Sequence, residues 1–179
     1  MGLDIPVLET DRLRLRGHRA DDLEACFAIW GDPGMTRHIG GRPSTRSETW
    51  TRLNRYLGHW ALMGYGYWLV EARDTGAAVG EVGLAEFKRD IDPPIEGTPE
   101  AGWVIAPAHQ RKGYAREAMD AVLAWADETL GAARTCCLIA PENAVSIRLA
   151  ASLGYREAVR TFMREAATVV FFREKGGAP

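Results

Sequence analysis

The chain predicts a mixed α/β domain spanning residues 1–179. Short apolar runs with strand-like alternation interleave with longer runs whose apolar residues recur at helical spacing. Their order is β-α-α-β-β-β-α-β-α-β-β, which mixes adjacent strands with helical connections.

Leu8 to Arg16 alternates, with Leu13 and Leu15 on one face, and reads as a strand. Leu23, Cys26, Phe27 and Trp30 share a helix face, and Asp21 and Asp22 sit in its first turn, where the helix dipole favours acids. Asp32-Pro33-Gly34 is expected to end that helix. Thr45 and Glu48 form a capping box, opening a second helix that is expected to bury Trp50, Leu53, Leu57 and Trp60. Tyr65 to Arg73 and Ala77 to Phe87 predict a hairpin around Asp74-Thr75-Gly76. A polar loop, Lys88 to Pro99, leads to a strand over Ala101 to Ala106. A third helix follows from Gly113 to Leu130, with Ala118, Met119, Val122 and Ala126 inward. Thr135 to Ala140 reads as a buried strand, and Asn143 to Leu153 as a short helix stopped by Gly154. Strands over Tyr155 to Met163 and Thr168 to Arg173 complete the domain, and the tail from Lys175 to Pro179 is expected to be disordered.

With 179 residues, 46% of them hydrophobic and 26% charged, the chain has enough apolar surface for one core. A net charge of −2 offers no general attraction to nucleic acid or anionic membranes. No apolar run approaches membrane-spanning length, and Met1 to Arg16 lacks a signal-peptide core. Met1-Gly2 is followed by Pro6 where myristoylation needs Ser or Thr. Cys26, Cys136 and Cys137 form neither metal spacing nor a disulfide framework, which fits a reducing cytoplasm. The adjacent pair lies on an apolar run and reads as buried and inert. His18, His38, His59 and His109 are scattered without ligand spacing, so no metal site is expected.

The segment from Pro99 to Ala118 carries the chemistry. Gln110-Arg111-Lys112-Gly113-Tyr114-Ala115 is a Q-x-x-G-x-A loop running straight into a helix. A helix start presents unpaired N–H groups and partial positive charge, which suits a phosphate. Small side chains at Gly113 and Ala115 let phosphate oxygens approach the backbone, while Arg111, Lys112 and Arg116 add charge. No G-x-x-x-x-G-K-[ST] motif occurs, and no G-x-G-x-x-G follows a strand.

With Thr10 to Arg16, Asp32-Pro33, Gly80 to Leu84, Glu100 to Trp103, Asn143 to Ser146 and Leu153-Gly154-Tyr155, this loop resembles the GNAT family of N-acetyltransferases. Its nearest likeness is the RimJ/RimL branch of ribosomal-protein N-terminal acetyltransferases, over roughly Leu8 to Arg173. The resemblance implies a twisted central sheet, mostly antiparallel and flanked by helices, whose middle strands splay to admit acetyl-CoA. It implies that Trp103, Val104 and Ile105 pair with the pantetheine amides. It implies that Asn143 bonds the pantetheine and that Ser146 serves the departing thiolate. Asn143 is equally explained as a helix N-cap.

An amine acceptor must lose a proton before attack, and Glu100 and Glu81 are the candidate bases, acting directly or through water. The alternative is that one or both are solvated strand-end charges. Where many family members place a tyrosine acid, this chain has Ala150. Five acids between Glu86 and Glu100 form either a rim for a cationic acceptor or a solvated loop. The implied activity is acetyl transfer to a protein N-terminus, a peptide or a small amine, in a monomer or homodimer. A small-molecule or antibiotic-modifying enzyme and a non-catalytic CoA-binding module remain the alternatives.

Overall fold

The computed structural model describes residues 3–177. It contains strands β1 (Leu8–Glu9), β2 (Leu13–Arg16), β3 (Tyr67–Ala72), β4 (Ala78–Ala85), β5 (Glu100–Ile105), β6 (Arg134–Ile139), β7 (Arg156–Met163) and β8 (Ala166–Glu174). The helices are α1 (Leu23–Trp30), α2 (Pro33–Thr36), α3 (Arg46–Met63), α4 (Tyr114–Thr129) and α5 (Ala144–Ser152). Hydrogen-bonded neighbours follow the order β1-β2-β3-β4-β5-β6-β8-β7. The pairs β1/β2, β2/β3, β3/β4, β6/β8 and β7/β8 are antiparallel, whereas β5 and β6 run parallel, with Glu100 opposite Cys136. The mixed α/β prediction holds.

The chain forms two compact units, Met1–Gly83 with Trp103–Val122 and Leu84–Gly102 with Leu123–Pro179. In the first, Cys26, Leu53 and Leu69 pack together, and Ile29, Trp30 and Val104 form a neighbouring cluster. Trp60 meets Trp68 edge-to-face at 4.7 Å and donates its indole N–H to the Tyr67 carbonyl. In the second unit Ile91, Ile95, Cys136 and Val170 share a cluster. Ala118, Met119, Val122 and Ala126 of α4 are all buried, as its periodicity predicts.

Several expectations need correction. The single strand expected over Leu8 to Arg16 is a hairpin, because the Thr10 hydroxyl accepts the Leu13 N–H and turns the chain at Asp11-Arg12. Asp32-Pro33-Gly34 does not simply end α1. Gly31 caps α1, and Asp32 then accepts the Met35 N–H to start α2. Helix α3 buries Thr49, Leu53, Tyr56 and Trp60, while Trp50 is 42% exposed and Leu57 only half-buried. Its inward face is turned by one residue because Tyr56 is drawn in to a buried carboxylate. The loop after β4 is not purely solvated, since Ile91 and Ile95 anchor it in a core cluster. Lys175 and Gly177 are ordered by backbone bonds to Ala133 and Glu174, while Ala178 and Pro179 of the expected disordered tail lie outside the described residues. The Met1-Gly2 reading also falls outside them.

A buried ion network ties the second strand down. Arg16 donates to both oxygens of Asp22, at 2.8 and 2.7 Å, and to Glu71 at 2.8 Å. Burial pushes the Asp22 carboxyl up, but its bonds from Arg16 and Arg19 outweigh that and hold it below the usual range. Asp127 is held low by the paired Arg173 guanidinium, against a smaller opposing effect of burial. Removing Arg16 strands two carboxylates, so Arg16→Ala should cost about 3–5 kcal/mol in urea unfolding. Lowered carboxyls contribute in full above their unfolded pKa near about 4 and are lost as pH falls through their folded values. The wild-type urea midpoint should therefore hold from neutrality to about pH 5 and drop below about pH 4.

Candidate active site

The loop before α4 has the geometry the sequence suggests. Arg111 and Gly113 take left-handed backbone conformations, with φ of 62° and 81°, so the chain turns sharply into the helix. Residues Gln110, Arg111, Lys112 and Gly113 are exposed, whereas Tyr114, Ala115 and Arg116 are half-buried. A Cβ on Gly113 would be strained by its φ and would stand 3.4 Å from the Arg12 guanidinium. Gln110 uses its amide on the Ile105 carbonyl at 3.0 Å, tying the loop to the end of β5. Arg116 pairs with Asp120 one turn along.

Strand β5 reaches this loop beside β4. Gly80 of β4 is required there, since a Cβ would lie 2.2 Å from the Val104 carbonyl. The Ala106 N–H donates to the Val79 carbonyl. Trp103 is half-buried, and Val104 and Ile105 are buried.

The two candidate bases have different surroundings. Glu81 is fully buried. Its Oε1 lies 3.2 Å from His18 Nε2, and its Oε2 accepts from Trp30 Nε1 at 2.6 Å and Tyr56 Oη at 3.2 Å. Burial pushes this carboxyl up, yet the bonds and charge of His18 and the bonds of Trp30 and Cys26 outweigh it and hold the group low. Glu100, at the start of β5, is 7% exposed and receives Arg89 through Nε at 2.9 Å and Nη2 at 2.7 Å. Glu86 accepts from Lys88 and the Gly97 N–H, and Glu96 from Lys88, so most of the acidic rim is paired within its own loop.

Asn143 is an N-cap, accepting the Ser146 N–H at 3.2 Å, and both side chains are half-buried. Ala150, at the position of the missing tyrosine, is fully buried. Burial pushes the Cys136 thiol up to about 12 and the Cys137 thiol well above its ordinary value, as expected of inert cysteines.

Sequence spacing missed two features. His18, Cys26 and Glu81 come together with donor atoms within 4.8 Å of one another. Their separation along the chain conceals this; only the fold supplies it. The other is Arg12, whose guanidinium binds the Lys112 carbonyl at 2.9 Å and Glu117 at 2.7 Å. The repeated Arg/Leu pattern around it signals a strand and hides the contact.

The profile of the acetyltransferase (GNAT) domain matches residues 12–156. The chain belongs to the GNAT family. This GNAT domain is 28% identical to the uncharacterized N-acetyltransferase YoaA of Bacillus subtilis, with 91% of each chain covered. It is 34% identical to a solved GNAT-family acetyltransferase of Bordetella pertussis, at a TM-score of 0.83, covering 94% of this chain and 99% of that one. The fold extends to RimL, a ribosomal L7/L12 α-N-protein acetyltransferase solved with CoA, at 12% identity, a TM-score of 0.77, and 94% and 98% coverage. At that identity the likeness to the RimL branch is one of fold.

The Glu81 cluster makes a stability prediction. Glu81→Gln keeps an acceptor for Trp30 but loses the charge that faces His18. It should destabilise the protein by about 1–3 kcal/mol in chemical denaturation. Unchanged stability would mean that the buried carboxylate does not hold α1 and α3 to β4.

Proposed function

We propose that this GNAT domain transfers the acetyl group of acetyl-CoA to an amine by direct attack in a ternary complex. The observation that carries the reading is the exposed left-handed loop at the start of α4. There Gly113 leaves space a side chain would fill, and Arg111, Lys112 and Arg116 surround amides suited to a pyrophosphate.

Acetyl-CoA supplies the acyl group activated as a thioester. Gln110 shapes the loop, and Arg111 to Arg116 hold the diphosphate. The backbone of Trp103, Val104 and Ile105 pairs with the pantetheine amides as an added strand would. A backbone N–H of the same segment polarises the thioester carbonyl. Asn143 orders the start of α5 while contacting the pantetheine, and the Ser146 hydroxyl donates a hydrogen bond to the departing thiolate and helps its protonation from solvent. Glu100 takes the acceptor's proton once Arg89 swings aside. Glu81, fully buried beneath His18, Trp30 and Tyr56, is the less accessible of the two carboxylates. The acceptor is a protein N-terminus, a peptide or a small amine.

A non-catalytic CoA-binding module is the second reading, favoured by Ala150 in place of the tyrosine acid. CoA-thiol release against a panel of N-terminal peptides and small amines separates the two. Release with one acceptor class supports the enzyme, and CoA binding without release from any amine supports the module.

Glu100→Gln should lower turnover about a hundredfold and flatten the fall in rate at low pH, measured with an acceptor whose amine is protonated at neutrality. Full activity across the pH range would remove Glu100 from proton transfer.

A further inference from the structure

We infer that Arg12 is a positioning residue that fixes the Lys112–Gly113 peptide and neutralises Glu117, making the start of α4 receptive to the cofactor's phosphates. The inference rests on the acetyl-CoA reading above.

Arg12 stands in the turn between β1 and β2, a hundred residues before Lys112. Its Nη1 donates to the Lys112 carbonyl at 2.9 Å, and its Nε and Nη2 reach Glu117 Oε2 at 2.7 and 2.6 Å. The Arg12 backbone N–H and the Thr10 hydroxyl donate to Glu117 Oε1, at 2.9 and 2.6 Å. The Tyr114 ring packs under the same guanidinium at 4.9 Å.

Two consequences follow from elementary geometry and charge. In a planar trans peptide the C=O and the following N–H point in opposite directions. Holding the Lys112 carbonyl toward Arg12 therefore aims the Gly113 N–H away from it, as a donor for an anion. A flipped peptide would present a carbonyl oxygen there instead, repelling phosphate. Glu117 lies in the first turn of α4, where an unpaired carboxylate would compete with the phosphates for the same positive end of the helix. Paired with Arg12, it leaves the charges of Arg111, Lys112 and Arg116 uncancelled by it. The Arg12 side chain is 51% exposed, and a half-exposed ion pair contributes little stability. Stability alone does not account for five hydrogen-bonding contacts converging on one loop and one carboxylate.

The experiment is calorimetric titration of CoA into the folded protein and its variants. Arg12→Gln should weaken CoA binding at least tenfold with little change in melting temperature. Arg12→Lys, which keeps the charge but not the planar fork, should fall between. Arg12→Gln combined with Glu117→Gln should bind more tightly than Arg12→Gln alone, because the unpaired carboxylate is gone. In kinetics, the loss should be confined to acetyl-CoA and shrink with S-acetylpantetheine, which carries no phosphate. Wild-type affinity in Arg12→Gln would overturn the inference, as would an equal loss with both acyl donors. A double variant no better than the single would remove the charge argument. Should Arg12→Gln fail to fold, Arg12→Lys carries the same donor comparison. Failure of the unsubstituted protein to bind CoA would instead overturn the reading of function itself.

Discussion

The Glu117 carboxylate is the point at which the Thr10–Arg12 turn is tied to the start of α4. Four donors from one short turn, the Thr10 hydroxyl and the Arg12 N–H, Nε and Nη2, converge on its two oxygens. That convergence explains why the first strand breaks at Asp11-Arg12 and why Thr10 closes the turn on Leu13. The same turn reaches the loop before α4, where Arg111 and Gly113 are left-handed. The loop is braced from its carbonyl side by Arg12, and by Gln110 on the Ile105 carbonyl. The Arg12 brace spends the Lys112 carbonyl and leaves the Gly113 N–H on the other side, the polarity an anion needs.

Glu81 and Glu100 show how burial alone does not make a base. Glu81 combines full burial with bonds to His18, Trp30 and Tyr56, which hold its carboxyl low against the opposing effect of burial. Its carboxylate joins β4 to α1 through Trp30 and to α3 through Tyr56, with Tyr56 stacked on Tyr67 at 4.7 Å. The tilt of α3, with Trp50 outside and Tyr56 inside, is one result. Glu100 is held through both oxygens by Arg89, whose side chain is 30% exposed and packs on the Phe87 ring at 4.4 Å.

Much of the architecture was legible from residue patterns. Capping boxes, alternation and helical spacing located α1, α3, α4 and every strand from β3 onward, because each signal is local. The glycine-bearing turn of Gln110 to Ala115 into α4 was legible for the same reason. Most departures share a cause: they depend on partners distant in sequence. The inward turn of Tyr56, the buried Ile91 and Ile95, and the His18-Cys26-Glu81 grouping are set by tertiary contacts that no local spacing encodes, whereas the hairpin at Thr10 turns on a bond only three residues long. Glu100 was readable as a base or as a solvated strand-end charge, and its pairing with Arg89 was hidden because that partner reaches it only across a folded loop. The T-x-R opening was readable as a family signature, yet its physical purpose appears only when Glu117 is brought beside it.

The most direct test of the account follows the backbone amides of residues 111–115 by heteronuclear NMR as CoA is titrated in. The account predicts that the Arg111, Lys112, Gly113, Tyr114 and Ala115 resonances move together, saturate with one affinity, and gain protection from solvent exchange. Saturable CoA binding that leaves those five amides unmoved, while others shift, would contradict it.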